Sequence, residues 1–227
     1  MTEPLLRARG LRHSFGKTEA LRGVDLDLHP GEVVAIMGPS GSGKSTLLHC
    51  LAGVIAPNSG TVALEGRVIS ALDEDARGLI RLKEFGFVFQ FGQLLGELTA
   101  IDNAALPLLL SGWRRSEANR IVQEWLERLG VAEFSDRRPS ELSGGQAQRV
   151  AIARSLVGDR RLLLTDEPTG SLDSLAAETV MRLMIGEVRR MGTTVVIVTH
   201  DPRTAAYADR EIMVRDGMIS VAMDYAA

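Results

Sequence analysis

The run Gly38-Pro39-Ser40-Gly41-Ser42-Gly43-Lys44-Ser45-Thr46 fits the spacing G-x-x-x-x-G-K-[ST]. Glycines so placed let a backbone curl until successive N–H groups face inward on a polyphosphate. A helix starting at the lysine adds the positive end of its dipole. In such a loop Lys44 reaches the β- and γ-phosphates, and the Ser45 hydroxyl holds Mg²⁺. On average composition a chance match in a chain of this length has odds of roughly one in a hundred. A second chemical pair, Asp166-Glu167, closes the run Leu162-Leu163-Leu164-Thr165. Ligands of open α/β sheets bind at the carboxyl ends of strands, so both acids are expected to face the phosphates. Asp166 suits Mg²⁺ through a coordinated water, and Glu167 suits the general base that polarises an attacking water. The plainer alternatives are an ordinary glycine turn and a solvated Asp-Glu turn. Together the two stretches predict a nucleoside triphosphate site.

Such residues need strands that stop where their loops begin. Val33-Val34-Ala35-Ile36-Met37 precedes the glycine loop and Leu47 to Ala52 follows it, giving strand, turn, helix. Leu5 to Phe15 reads as a strand with a turn at Gly16-Lys17. Val24, Leu26 and Leu28 alternate with Asp25, Asp27 and His29 up to Pro30-Gly31, a half-buried strand. These predict an antiparallel β-layer ahead of the nucleotide-binding core. Pro57-Asn58-Ser59-Gly60 is a turn, and Thr61 to Leu64 a further short strand. Asp73 to Lys83 reads as a polar helix, and Phe85 to Gln90 as an apolar strand ending on the glutamine. From Thr99 to Val157 the pattern is helical, with Ile121, Val122, Trp125, Leu126 and Leu129 on one face. Leu162 to Thr165 and Thr194 to Val198 are buried strands separated by a helix from about Ser174 to Met191, and the β-branched Thr165 suits its strand. Strands interleaved with helices predict an α/β P-loop NTPase core with a mostly parallel sheet. The chain reads as a single domain, 1–227. Its core covers 1–90 and 158–227, with an inserted helical lobe at about 91–157.

The 227 residues carry a net charge of −3, with 45% apolar and 24% charged residues. Nothing in that balance favours nucleic acid or an anionic membrane surface. Cys50 is the single cysteine, so no disulfide framework or cysteine metal cluster is expected, and a reducing interior fits. Met1-Thr2-Glu3-Pro4 does not open a secretory leader, and no apolar run approaches the ~20 residues of a membrane span. Any work at a membrane is therefore expected to go through a partner.

Leu142-Ser143-Gly144-Gly145-Gln146, followed by Gln148-Arg149, narrows the reading. With this pentapeptide the chain resembles the nucleotide-binding subunit of ABC transporters, over nearly its whole length. Locally the stretch is a helix start, where the Ser143 hydroxyl and the Gly144 and Gly145 amides offer donors and dipole to a γ-phosphate. The local alternative is a helix N-cap with a Gly-Gly turn. The resemblance implies ATP as the nucleotide and a head-to-tail dimer, with two ATP molecules held between Lys44 of one copy and Ser143 to Gln146 of the other. It implies that Gln90 touches Mg²⁺ and the attacking water. It further implies that Asp173, in Ser171-Leu172-Asp173, contacts the opposite phosphate loop. His200, in Thr199-His200-Asp201, would hydrogen-bond the γ-phosphate and the water. Phe15 takes the place of an aromatic, usually tyrosine, that stacks on adenine. The rival readings are a polar strand cap for Gln90, a structural histidine, and a core phenylalanine.

Phe87-Val88-Phe89-Gln90, Leu94-Leu95, Glu97-Leu98-Thr99-Ala100, Asn103 and Leu106-Pro107-Leu108 add detail, as does Asp166 to Asp173. Together they look like the branch of macrolide and peptide exporters, lipoprotein-release ATPases and haem-efflux ATPases. That resemblance implies a partner permease with four spanning helices and a large extracytoplasmic domain, driven by a mechanical stroke. It also implies a place on the cytoplasmic face of the inner membrane. The apolar stretch 91–110, with Trp113, is either the groove for the permease's coupling helix or ordinary helix core. Two rivals remain: a cell-division ATPase that activates cell-wall hydrolases, and a soluble family member acting on nucleic acid or ribosomes. The second usually carries coiled-coil insertions or tandem cassettes, and this chain has neither. The transported substrate is chosen by the permease.

Overall fold

The alternating stretches and apolar runs become strands, and the stretches of helical period become helices. The computed structural model describes residues 3–224. Met1 and Thr2, within the amino-terminal stretch read above for a leader, lie outside the described residues. In chain order the elements are β1 (Leu6–Phe15), β2 (Thr18–Leu28), β3 (Val33–Met37), α1 (Lys44–Leu51), β4 (Ser59–Leu64), β5 (Arg67–Val68) and α2 (Glu74–Glu84). There follow β6 (Phe85–Phe89), α3 (Ala100–Leu110), α4 (Arg115–Arg128), α5 (Gly144–Leu156), β7 (Leu162–Asp166) and α6 (Ser174–Met191). The chain ends with β8 (Thr194–Val198), α7 (Pro202–Ala205), β9 (Arg210–Arg215) and β10 (Met218–Asp224). Two compact units result, Met1–Arg81 with Gly192–Ala227, and Leu82–Met191. Among the described residues no helix is long and apolar enough to cross a membrane.

In the first unit β2, β1, β4 and β5 form the expected antiparallel layer, with Leu6 opposite both Leu28 and Leu64. Leu6, Ala8, Leu11, Val24, Leu26 and Leu28 are buried on one face, as the alternation requires. The same unit holds β3 between β8 and β9, parallel to both, with β10 antiparallel on β9. Val33 to Ile36 and Val195 to Val198 are buried on both faces of the sheet, which is why they are continuous apolar runs. The β9–β10 hairpin is an addition to the sequence reading. Only Ile212 and Val214 of β9 are buried, and Arg210, Glu211 and Arg215 mask the strand. Its signal was the turn Asp216-Gly217, both residues at positive φ. The hairpin turn reaches back into the unit, since Gly217 N donates to Ser42 O at 3.0 Å and Arg22 N to Gly217 O at 2.8 Å.

In the second unit β6 and β7 run parallel, with Phe85 opposite Leu162 and Phe89 opposite Asp166. Helix α5 rests on β6 at Gly86, where a Cβ would collide with the Ser155 carbonyl oxygen. A glycine inside a strand marks such a close approach. Helices α3 and α4 pack with α5. Of the predicted stripe on α4, Val122, Trp125, Leu126 and Leu129 are buried and Ile121 is half-buried, and Ala118 is buried with them. In α3 the Thr99 hydroxyl caps the first turn by accepting from Asp102 N at 3.3 Å. Asn103 is fully buried and spends its amide on the backbone of 95–99, accepting from Leu95 N and donating to Leu95 O, Leu98 O and Thr99 O. Among the described residues no strand lies between β6 and β7, in keeping with an inserted helical lobe.

Gly86→Val should cost about 3 kcal/mol or more, because backbone must move to admit the side chain. A thermal melt should then fall by about 6–12 °C. A midpoint within 2 °C of the parent would mean that α5 moves off β6 freely.

Candidate functional site

Strand β3 delivers the chain into a loop that closes on its own lysine. Gly38 has φ 146°, and a Cβ there would collide with the Val214 carbonyl of β9, so only glycine lets the loop start so close to the sheet. The Lys44 ammonium donates to Gly38 O and Pro39 O, at 2.8 Å each, and Lys44 is 9% exposed. Ser42 Oγ is buried without a hydrogen-bond partner. Helix α1 has Gly43 at its N-cap, no side-chain cap and no acid in its first turn. Leu47 N is the first amide with a helical acceptor, Gly43 O at 2.8 Å. The amides of Lys44, Ser45 and Thr46 thus precede the ladder. Donors, dipole, ammonium and an unspent hydroxyl converge here, while Pro39, Ser40, Gly41 and Ser45 are exposed around them. The arrangement fits a polyphosphate.

The same unit brings His200 to a neighbouring strand end. Ile36 of β3 pairs with Val198 of β8, and Thr199 N donates to Ile36 O at 3.2 Å. The exposed His200 follows, and Asp201 caps α7 by accepting from Arg203 N at 2.9 Å. Phe15 ends β1 with 54% of its surface exposed, edge-to-face with His13 at 4.7 Å between ring centres. An exposed ring does not fit the core-phenylalanine alternative.

In the second unit the register Phe89 opposite Asp166 sets Gln90 and Asp166-Glu167 at adjacent strand ends. Glu167 has φ 48°, the left-handed region, a strain of about 1–3 kcal/mol for a side chain of this size. The turn beyond it is fastened by Gly170 N to Glu167 O at 3.1 Å and Leu172 N to Thr169 O at 3.0 Å. A Cβ on Gly170 would lie 2.9 Å from Gln90 Nε2, so the Gln90 amide rests on that turn. The Ser171 hydroxyl donates to Gln90 O at 2.7 Å. Thr165 is fully buried in β7, as its strand role requires.

Helix α5 supplies two further groups, which sequence reasoning quoted or passed over without a role. Gln148 is 2% exposed, and its Nε2 donates to Phe89 O at 3.0 Å and Pro168 O at 2.6 Å. The Arg154 guanidinium donates to Gly92 O at 2.7 Å and Gln93 O at 2.9 Å, and burial holds its pKa below the usual arginine range. The available signal was a polar residue recurring on the helix face that carries Ala151, Ile152 and Ser155, all buried.

Ser143 is the N-cap of α5, accepting from Gln146 N at 3.3 Å while Gln146 Oε1 accepts from Ser143 N at 2.8 Å. The helix N-cap alternative therefore holds locally, and the hydroxyl hydrogen remains to be donated. No acid sits in the first turn. At Gly144 a Cβ would meet Leu172 Cδ2 at 3.2 Å, a tight approach, while at Gly145 it would meet Ala176 Cβ at an ordinary 3.5 Å. The helix start borders a cleft of about 400 Å³, shared with Arg149, Ser171, Asp173 and Leu175. Asp173 caps α6, accepting from Leu175 N at 3.0 Å and Ala176 N at 2.9 Å. Among the described residues no group of three or more His, Cys, Asp or Glu is placed to hold a metal ion.

A family model described as "ABC transporter" matches residues 21–170. The lipoprotein-releasing system ATP-binding protein LolD 2 of Caulobacter vibrioides is 47% identical over 226 residues, covering 97% of this chain and 99% of its own. The macrolide export ATP-binding/permease protein MacB of Escherichia coli K12 is 44% identical over 95% of this chain, which spans 34% of MacB. Among solved structures, the dimeric bacterial ABC transporter cassette MJ0796 has a TM-score of 0.90 at 36% identity, over 98% of this chain and 99% of that one. A post-hydrolysis dimer of the same cassette, bound to ADP and Pi, matches with the same TM-score, identity and coverage. These likenesses bear out the α/β P-loop NTPase fold.

Cys50, in α1 directly behind the loop, is buried, and burial pushes its thiol up to about 11. At pH 8 about one molecule in a thousand then carries the thiolate. Ellman's reagent should label the native protein only at the rate of unfolding. Stoichiometric labelling within seconds in buffer would show an accessible, ionisable thiol.

Proposed function

The chain belongs to the ABC transporter family, and from that premise we propose that it is the ATP-hydrolysing subunit of a membrane export or mechanotransmission complex. It is an ATPase whose hydrolysis is coupled to transport. The observation that carries the proposal is a second anion cradle besides the phosphate loop. Ser143, Gly144 and Gly145 open a helix free of acids in its first turn, beside an open cleft. A chain with two cradles suits a head-to-tail pair of copies, each lending its α5 start to the other's nucleotide, and the likeness to a dimeric cassette supports this.

In this reading the amides of 38–46 and the Lys44 ammonium hold the phosphates, and the exposed Phe15 ring stacks on adenine. Ser45, Asp166 and Gln90 would hold Mg²⁺, which would supply charge neutralisation to the phosphates. The Glu167 carboxylate takes the proton of the attacking water, and His200 hydrogen-bonds the γ-phosphate. Ser143 to Gln146 of the second copy close on the same phosphate while Asp173 reaches the opposite loop. The cassette is a single domain with its helical lobe at about 91–157. Phe91, Leu95, Leu110 and Trp113 are exposed apolar residues there, which favours docking of a permease's coupling helix over ordinary core. The relatives named for lipoprotein release and macrolide export support an export permease as the partner, which in this reading has four spanning helices and a large extracytoplasmic domain. The chain then works at the cytoplasmic face of the inner membrane, held by that permease.

Glu167→Gln should keep ATP binding, trap the dimer and lower hydrolysis at least a hundredfold. Purified from detergent-solubilised membranes with ATP and Mg²⁺, it should bring the permease with it. A rate within about threefold of the parent removes Glu167 as the base, and capture of ribosomal proteins without a membrane partner removes the transport reading. Ser143→Arg should spare nucleotide binding by the monomer and abolish ATP-dependent dimers in size-exclusion chromatography. Normal dimers from that variant would sink the argument for a cradle shared between copies.

A further inference from the structure

Glutamine amides have two N–H donors, and buried ones are spent where the fold needs them. Gln148 gives both to main-chain carbonyls of separate segments. One is Phe89 O, in the peptide that leads into Gln90; the other is Pro168 O, in the residue after Glu167. Glu167 is held at a positive φ that its side chain disfavours, so its backbone needs bracing from outside the turn. Gly92 lies against the same stretch of α5, where a Cβ would be 3.4 Å from Gln148 Oε1, Ala147 O and Ala151 Cβ. Ser143, at the head of this helix, precedes Gln148 by about 7 Å of axial rise.

We propose that Gln148 is a positioning residue for hydrolysis, clamping the backbones that carry Gln90 and Glu167 to the helix that starts at Ser143. The inference rests on the reading of Glu167 as the base. A rigid helix with its head on one nucleotide and its amide on the catalytic backbone of its own chain sets both with one movement. When α5 shifts, Gln90 and Glu167 shift with it, and hydrolysis follows the seating of Ser143. An apolar residue of the same volume would pack as well and lose that link.

The test uses the full chain and Gln148→Met, which conserves volume and removes both donors. Single-turnover ATP hydrolysis should fall at least tenfold, while the dissociation constant for trinitrophenyl-ATP stays within threefold. Because Gln148 acts through Glu167, the double variant Gln148→Met/Glu167→Gln should hydrolyse within twofold of Glu167→Gln alone. If the methionine variant does not give a native melting transition, Gln148→Glu, of the same shape, carries the same measurements. A single variant within threefold of the parent rate overturns the proposal, as do losses that multiply in the double variant. A rate loss matched by an equal loss of nucleotide affinity also overturns it. If Glu167→Gln is inactive while Gln148→Met is not, the base reading stands and only the positioning role falls. If Glu167→Gln itself retains its rate, both fall.

Discussion

How closely helix α5 can approach strand β6 governs everything the second unit holds in place. With only a hydrogen at Gly86, the helix backbone comes into contact with the strand backbone. At that separation a short side chain such as Gln148 spans from the helix to the main chain at the end of β6 and to the turn beyond β7. Arg154, two turns further on, grips the loop after Gln90 by the same means. Backbone-to-backbone packing leaves little slack, because dense interiors shift as bodies and do not yield side chain by side chain. Ser143, Gln90 and Glu167 thus share one frame of reference.

The chain also manages its negative charge with care. It carries 29 acidic residues, and α2, α3 and α4 all place acids in their first turns, where they favour the helix dipole. Helices α6 and α7 are capped by Asp173 and Asp201 instead, while α1 and α5 have neither an acid in the first turn nor an acidic cap. A carboxylate at either start would stabilise its helix and repel an anionic ligand. At α5 the glutamine of a capping box keeps the cap's hydrogen bonds while leaving the charge out. At α1 even the side-chain cap is given up, and the dipole faces outward unsatisfied. Where an ordinary helix would neutralise its own N-terminus, these two keep the potential for something else.

Legibility in the sequence followed burial. Strands β3 and β8 were bounded to the residue and helix α6 approximately, because runs buried on both faces or amphipathic over several turns leave an unmistakable pattern. The glycine loop and the acids after β7 were legible because their spacing is the chemistry. The β9–β10 hairpin was hidden by charges at its ends, although Asp216-Gly217 marked its turn. Gly144 was legible as a glycine but not for its close approach to Leu172. For Gln148 the sequence held only a polar residue on a buried helix face, and not what it holds. Its partners are main-chain carbonyls, which every residue has, so no side-chain type records them.

The β9–β10 hairpin has one more bearing, on the order in which the chain is made. Its turn bonds Ser42 O through Gly217 N, and Val214 of β9 crowds Gly38. The phosphate loop is therefore finished by residues that a ribosome adds some 170 positions after Thr46, about 10–30 s later at ordinary elongation rates. Until then the loop lacks this backing from β9 and the hairpin turn. The shape of the phosphate loop thus draws on residues from both sequence segments of the first unit, early and late in synthesis alike.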